Sequence, residues 1–224
     1  MSLSLEVAPS HEAAAHRVAR LVAERARAGV DSSGAFELAV SGGSTPHEML
    51  LALGAEDVPW TRVRIYQVDE RVAPPGDPDR NLTQLLAALP PEAHASVRPL
   101  PVDDSDLERA AERYAAALPP RLDLVHLGLG ADGHTASLVP SDRVLDVTDR
   151  FVAVTAEYEG RRRMTLTYPA LDGAREIVWL VTGEEKRDAL SRLIMRDASI
   201  PAARISNPRQ LVVADTEAAP RAVI

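Results

Sequence analysis

The stretch "LDLVHLGLGADGHTASLVP", Leu122 to Pro140, decides how the chain is read. Its first half, Leu122 to Leu129, is an apolar run short enough for a buried β-strand. The run then breaks into glycines. Gly128, Gly130 and Gly133 spell G-x-G-x-x-G, the turn that opens a helix beneath a pyrophosphate in dinucleotide-binding folds. One residue later stands His134, an ionisable side chain for which that turn has no use. The stretch is therefore either a cofactor cradle or a loop that presents an imidazole, and two features favour the loop. A dinucleotide turn belongs after the first strand of a βαβ unit, with an acid closing the next strand. Here the glycines fall past the midpoint of the chain, and Asp146 and Asp149 precede the apolar run "FVAVT" instead of ending it. His126, inside the strand, reads as structural.

Three more apolar runs behave the same way. "AFELAV" (35–40) runs into "SGGSTP", "VRIYQV" (63–68) into "DERVAPPGDPDRN", and "EIVWLV" (176–181) into "TGEEKR". Helical patterns lie between them. Residues 10–28 place Ala14, Val18, Leu21 and Val22 on one face, with Gly29 as the expected stop. "SDLERAAERYAAAL" carries an expected capping box, Ser105 with Glu108. Strands alternating with helices predict an α/β fold with three layers, α/β/α, around a mostly parallel sheet. The proline pairs punctuate loops, and no repeat or linker divides the chain, so residues 1–224 are expected to form a single domain. In open α/β sheets ligands bind beyond the carboxyl ends of the strands. All four loops sit at such ends and can converge on one pocket.

Composition narrows the partners. With 33 acidic residues against 25 basic ones the net charge is −8, which argues against a nucleic-acid ligand but not against a small anion held by a local cluster of donors. No cysteine is present, excluding disulfides and thiolate chemistry. The N-terminal residues have no basic n-region, and no apolar run approaches the ~18 residues of a membrane span. A cytoplasmic protein with no membrane partner is expected. The oligomeric state stays open, a monomer included.

The loops carry the chemistry. "SGGSTP" (Ser41, Gly42, Gly43, Ser44, Thr45, Pro46) pairs two glycines with hydroxyls at a helix start, where free N–H groups and the helix dipole favour phosphate. A Ser or Thr helix cap is the plainer alternative. No Gly-Lys-Ser/Thr follows, so this is not a Walker loop. "VDER" sets Asp69 and Arg71 at a strand end, as a salt-bridged rim or as ligand contacts. "DPDRN" imitates a calcium loop at Asp77, Asp79 and Asn81, but Leu82 and Ala88 replace the required Gly and Glu. "HEAAAH" imitates a zincin, yet His11 and His16 are five apart and face different sides of a helix. No metal site and no cofactor are expected, and no G-x-S-x-G elbow supports a serine triad. Arg161, Arg162 and Arg163 form either a solvated face or an anion clamp. Lys186 is the only lysine in a chain that otherwise uses arginine, which suggests a need for a compact ammonium.

Together "SGGSTP", "VDERVAPPGDPDRN", "LGLGADGHTASLVP", "RRRMTLTYPAL" and "VTGEEK" resemble, in order and over nearly the whole chain, the 6-phosphogluconolactonase family in its form related to glucosamine-6-phosphate deaminase. The resemblance implies a modified Rossmann-like sheet and hydrolysis of 6-phospho-D-glucono-1,5-lactone by water. It implies His134 as general base with Asp132 orienting it. Substrate contacts are implied from Ser41, Gly42, Gly43, Ser44, Thr45, Asp69, Arg71, Asn81, Arg163 and Lys186. Two rivals are an amino-sugar phosphate deaminase or isomerase, and a non-catalytic sugar-phosphate sensor. Against the first, "DER" replaces the deaminases' Asp-Glu-Tyr, and the glutamate that closes their Asp-Gly-His-Ile-Ala-Phe-Asn-Glu is missing. Against the second, there is no basic DNA-binding segment. Within the lactonase pattern, Val139 stands where Phe is usual, and Arg80 where Ser often precedes Asn81.

Overall fold

The computed structural model describes residues 2–221, the side chains of Ser2 and Ser44 excepted. In chain order the elements are β1 (Ser2–Ala8), α1 (His11–Ser33), β2 (Phe36–Val40), α2 (Ser44–Gly54), β3 (Val63–Gln67) and β4 (Asp69–Arg71). There follow α3 (Asn81–Ala88), α4 (Pro91–His94), β5 (Val97–Arg98), α5 (Leu107–Ala117), β6 (Leu124–Leu127) and β7 (Val152–Val154). The last third holds β8 (Arg163–Leu166), α6 (Tyr168–Asp172), β9 (Ile177–Val181), α7 (Arg187–Ile194) and β10 (Arg209–Asp215).

Seven strands form one sheet in the order β1-β10-β9-β6-β2-β3-β5, and every pair in it is parallel. The central strands β2, β6 and β9 are buried on both faces, as in parallel sheets covered by helices. Along β2, Phe36, Leu38 and Val40 face a core shared with α1 to α4, while Ala39 faces the other. Along β9, Ile177, Trp179 and Val181 join the core under α5 to α7, and Val178 and Leu180 the first. The fold is therefore the expected three-layer α/β/α arrangement.

The order of strands places the site. From β2 the chain steps outward to β3 and β5, then returns to the other side of β2 to lay down β6, β9 and β10. The loops after β2 and β6 leave the sheet in opposite directions, and the gap between them is the crevice where such sheets take ligands. A second, antiparallel sheet of three strands, β4-β8-β7, borders that crevice.

Several expectations are corrected. Helix α1 does not stop at Gly29. It continues to Ser33, and Gly34 ends it with a φ of 82°. An internal glycine costs a helix only about 1 kcal/mol, and Gly29 is there for space: a Cβ would come within 2.5 Å of the Phe36 ring. Asp106, not Ser105, caps α5, accepting from the Arg109 N–H at 3.1 Å. The "DER" segment is a strand of the small sheet, not a loop, and "RMTL" as a whole is its partner strand, the helix beginning only at Tyr168. Strands β1 and β10 carried no expectation, yet they close one side of the main sheet.

Candidate active site

The four loops do meet. They form a cleft of about 460 Å³ lined by Gly42 and Gly43 of the turn after β2, by Asp69, Arg71 and Asn81, by Gly130 and His134 of the loop after β6, by Glu159 and Arg163, and by Thr182 with Lys186.

On one wall, His134 Nδ1 lies 2.6 Å from Asp132 Oδ1, and the His134 backbone N–H donates to the same oxygen at 3.1 Å. Burial pushes the Asp132 carboxyl up. The His134 N–H, the imidazole and the Tyr158 hydroxyl outweigh it and hold the group below its ordinary value. An ionised Asp132 accepts, so Nδ1 carries the proton and Nε2 keeps its free lone pair. The glycines serve this pair. A Cβ on Gly130 would stand 2.1 Å from His134 Nδ1 and 2.6 Å from Asp132 Oδ1. Gly133 has a φ of 83° and no room beside Ile200. The Gly130 N–H donates to the His134 carbonyl at 2.8 Å and closes the turn. No helix follows the glycines: residues 131–140 are turns and isolated bridges, so the helix that a dinucleotide turn needs is absent there.

On another wall, Gly43 with a φ of 111° immediately precedes α2, and among the described side chains none caps that helix. Gly42 is forced by Asn81, whose amide carbon would lie 2.3 Å from a Cβ there. Ser41 Oγ donates to the His126 carbonyl at 3.1 Å and ties the turn to β6. The Gly43 N–H donates at 3.3 Å to Gln84 Oε1. Thr45 lines the cleft, and the Ser44 side chain lies outside the described residues.

The small sheet supplies the third wall. Arg71 and Arg163 stand directly opposite each other across β4 and β8, a like-charge pairing that the Glu159 carboxylate, 2.8 Å from the Arg163 guanidinium, offsets in part. Arg71 donates to Asn81 Oδ1 at 3.2 Å and to the Asp79 carbonyl at 2.6 Å. Asn81 Nδ2 donates to the Asp69 carbonyl at 2.9 Å, so its amide is spent on positioning Asp69 and Arg71. Asp69 is buried, which raises its carboxyl above the ordinary value despite the Ser137 hydroxyl at 2.6 Å and the charge of Arg163. Glu70 between them is structural, accepting from the N–H groups of Asn81 and Leu82 at the start of α3 at 2.7 and 2.8 Å. The arginine run divides cleanly. Arg161 pairs with Asp77 and Asp79, Arg162 with Glu108, and Arg163, the one of the three that lines the cleft, with Glu159 at 2.8 Å. Arg80 is spent on Asp103 and Glu70. Lys186 lines the cleft with Nζ 4.0 Å from Glu185 Oε1.

A family profile described as "Glucosamine-6-phosphate isomerases/6-phosphogluconolactonase" matches residues 9–214. The chain belongs to this family. Within the glucosamine-6-phosphate isomerase/6-phosphogluconolactonase family, it is 32% identical over 214 residues to a protein of Nostoc sp. named 6-phosphogluconolactonase, covering 88% of each chain. A 6-phosphogluconolactonase of Mesorhizobium japonicum is 35% identical over 226 residues, covering 96% of this chain and 91% of that one. Among solved structures, 6-phosphogluconolactonase from Thermotoga maritima superposes with a TM-score of 0.85 over 96% of this chain and 99% of that one, at 22% identity, a likeness of fold.

Three side chains in or beside the cleft were not singled out from sequence. Tyr158 donates at 3.3 Å to Asp132 Oδ2, lies edge-on to His134 with ring centroids 5.9 Å apart, and carries the Arg163 guanidinium 4.9 Å above its ring. Ser137 holds Asp69, and Thr182 lines the cleft. An aromatic within the polar run "EYEGRRR" was the one available signal for Tyr158.

Proposed function

We propose that this chain hydrolyses 6-phospho-D-glucono-1,5-lactone to 6-phospho-D-gluconate, as one cytoplasmic sugar-phosphate hydrolase domain with no nucleic-acid or membrane partner. No helix among the described residues is long and apolar enough to cross a membrane. The observation that carries the reading is that His134, with Asp132 at 2.6 Å from its Nδ1, shares one cleft with the Gly42–Gly43 turn and Lys186. The family also holds isomerases, but the position of the deaminases' glutamate is Val139, which is buried and has no proton to give.

A δ-lactone is an activated ester, so water with one general base suffices. Nε2 of His134 takes a proton as the water oxygen bonds to the carbonyl carbon. The oxyanion then collapses, the ring C–O bond breaks, and the imidazolium returns its proton to the departing ring oxygen, which becomes a hydroxyl. The new carboxylic acid ionises, giving one free proton per turnover. The phosphate is held by N–H groups of Gly42, Gly43 and Thr45 at the α2 terminus, a phosphate oxygen replacing the long Gln84 bond, and by Lys186 with Arg163 and Arg71. Asp69 receives sugar hydroxyls. Holding the distant phosphate orients the carbonyl at His134.

Proton release from freshly prepared 6-phosphogluconolactone, corrected for spontaneous opening, tests the reading, and a rate no faster than the uncatalysed one rejects it. Lys186→Ala should raise KM about tenfold or more with kcat little changed, since a charged hydrogen bond is worth roughly 1.5–3 kcal/mol. Gly130→Ala should separate His134 from Asp132 and lower kcat about 10²-fold, the scale set by a displacement near 1 Å. Steady-state kinetics with a circular dichroism check of folding distinguish both from misfolding.

A further inference from the structure

The "HEAAAH" motif has no part in the site above, yet the structure gives its first histidine specific partners. His11 opens α1, and its ring bridges two other elements. Nδ1 lies 2.6 Å from Thr182 Oγ1 just beyond β9, and Nε2 lies 2.5 Å from Glu48 Oε2 on α2. Thr182 is buried and lines the cleft near Lys186 and Gly43. The His11 and Glu48 side chains are 40% and 38% exposed. Carboxylate, imidazole and hydroxyl thus form one line that runs from solvent into the cleft.

We propose that His11, held by Glu48, is a positioning residue that aims the Thr182 hydroxyl at the substrate's phosphate. The inference rests on the Gly42–Thr45 turn and Lys186 being the phosphate seat. A threonine hydroxyl rotates and, left alone, turns to a nearby backbone carbonyl. Here a ring nitrogen fixes it. One proton order suits an anion: with both ring nitrogens protonated, Nε2 donates to Glu48 and Nδ1 donates to Thr182 Oγ1. The Thr182 O–H is then left to donate to a phosphate oxygen, and charges alternate along the line from Glu48 to the phosphate.

Two simpler roles do not account for the contacts. His11 is not the cap of α1, because Ser10 accepts the Ala13 N–H and does that work. A half-exposed ion pair adds little stability, so bridging α1 and α2 is a poor reason for this geometry. Nor does the line make Thr182 a nucleophile. The adjacent Gly183 N–H is held by Asp215 at 3.1 and 3.2 Å, so it is not available to an oxyanion.

The test compares wild type with His11→Ala, His11→Asn, Thr182→Val, the His11→Ala/Thr182→Val double variant and Lys186→Ala. Calorimetric titration with 6-phosphogluconate gives affinity independently of turnover, and lactone kinetics give KM and kcat. His11→Ala and Thr182→Val are each expected to weaken 6-phosphogluconate three- to tenfold and to raise KM in step, with kcat moved less. The double variant should be no worse than Thr182→Val alone, and His11→Asn, whose amide can occupy the place of Nδ1, should recover most of the loss. Wild-type affinity in His11→Ala, or losses that multiply in the double variant, would overturn the proposal. If Thr182→Val does not fold, His11→Ala and its recovery by Asn decide alone, because that side chain is half-exposed. Unchanged binding in Lys186→Ala would instead overturn the phosphate seat itself. That result is distinct from weakened Lys186→Ala with intact His11→Ala, which removes only His11.

Discussion

His134→Ala is expected to lower kcat for 6-phosphogluconolactone by about 10²–10⁴-fold, the usual contribution of a positioned general base, while 6-phosphogluconate affinity stays within a few-fold. The split follows from the layout of the cleft. Imidazole and carboxylate belong to the loop after β6, whereas the Gly-Gly turn follows β2 and Lys186 follows β9. Deleting the ring leaves those other loops in place. Asp132 should not limit the acid side of the activity profile, since its carboxyl titrates below the ordinary value and stays ionised until the solution is more acidic than that. Stopped-flow proton release under single-turnover conditions, with calorimetric binding alongside, measures both quantities. A variant turning over at wild-type rate would remove His134 from the mechanism.

His126→Leu should make the protein more resistant to acid. His126 is fully buried in β6, on the face of Leu124, and among the described residues neither ring nitrogen has a hydrogen-bond partner. Burial alone lowers its pKa from 6.5 to about 4. The unfolded chain therefore binds a proton in the window between about 4 and 6.5 that the folded chain refuses, so stability falls as pH drops through that window. The whole shift corresponds to on the order of 3 kcal/mol. Leucine cannot titrate, and it leaves no ring nitrogen unpaired. Urea unfolding of both proteins at pH 8 and pH 4.5 should show the variant's advantage growing by roughly 2–3 kcal/mol on acidification. An advantage equal at both pH values would mean that His126 is not kept neutral by the fold.

The parts of the fold legible in sequence are those whose cause is local. The strands at 36–40, 63–67, 124–127 and 177–181 are apolar runs ended by glycine or charge, and the pattern is complete within each segment. Strand β1, "SLSLEVA", alternates polar and apolar residues at a sheet edge and carries a weaker signal. The small sheet was illegible for a different reason. Asp69, Glu70 and Arg163 are buried charges in three- and four-residue strands, and they become strands only because segments about ninety residues apart pair with each other. The Gly29 expectation failed because a helix packed on a sheet tolerates one glycine, and the ring of Phe36 needs the space.

The sequence by itself determined the chemistry on offer: an imidazole two residues from a carboxylate, a Gly-Gly turn at a helix start, a lone ammonium, and no cysteine. Each of these is a property of a few neighbouring residues. Only the tertiary structure decided that Arg163 and not its two neighbours faces the cleft, that Glu70 and Arg80 are spent inside the protein, and that Tyr158, Thr182 and His11 stand where they do. Those outcomes depend on strand order and cross-strand register, which are fixed by the burial of apolar faces over the whole chain and leave no mark on any single segment.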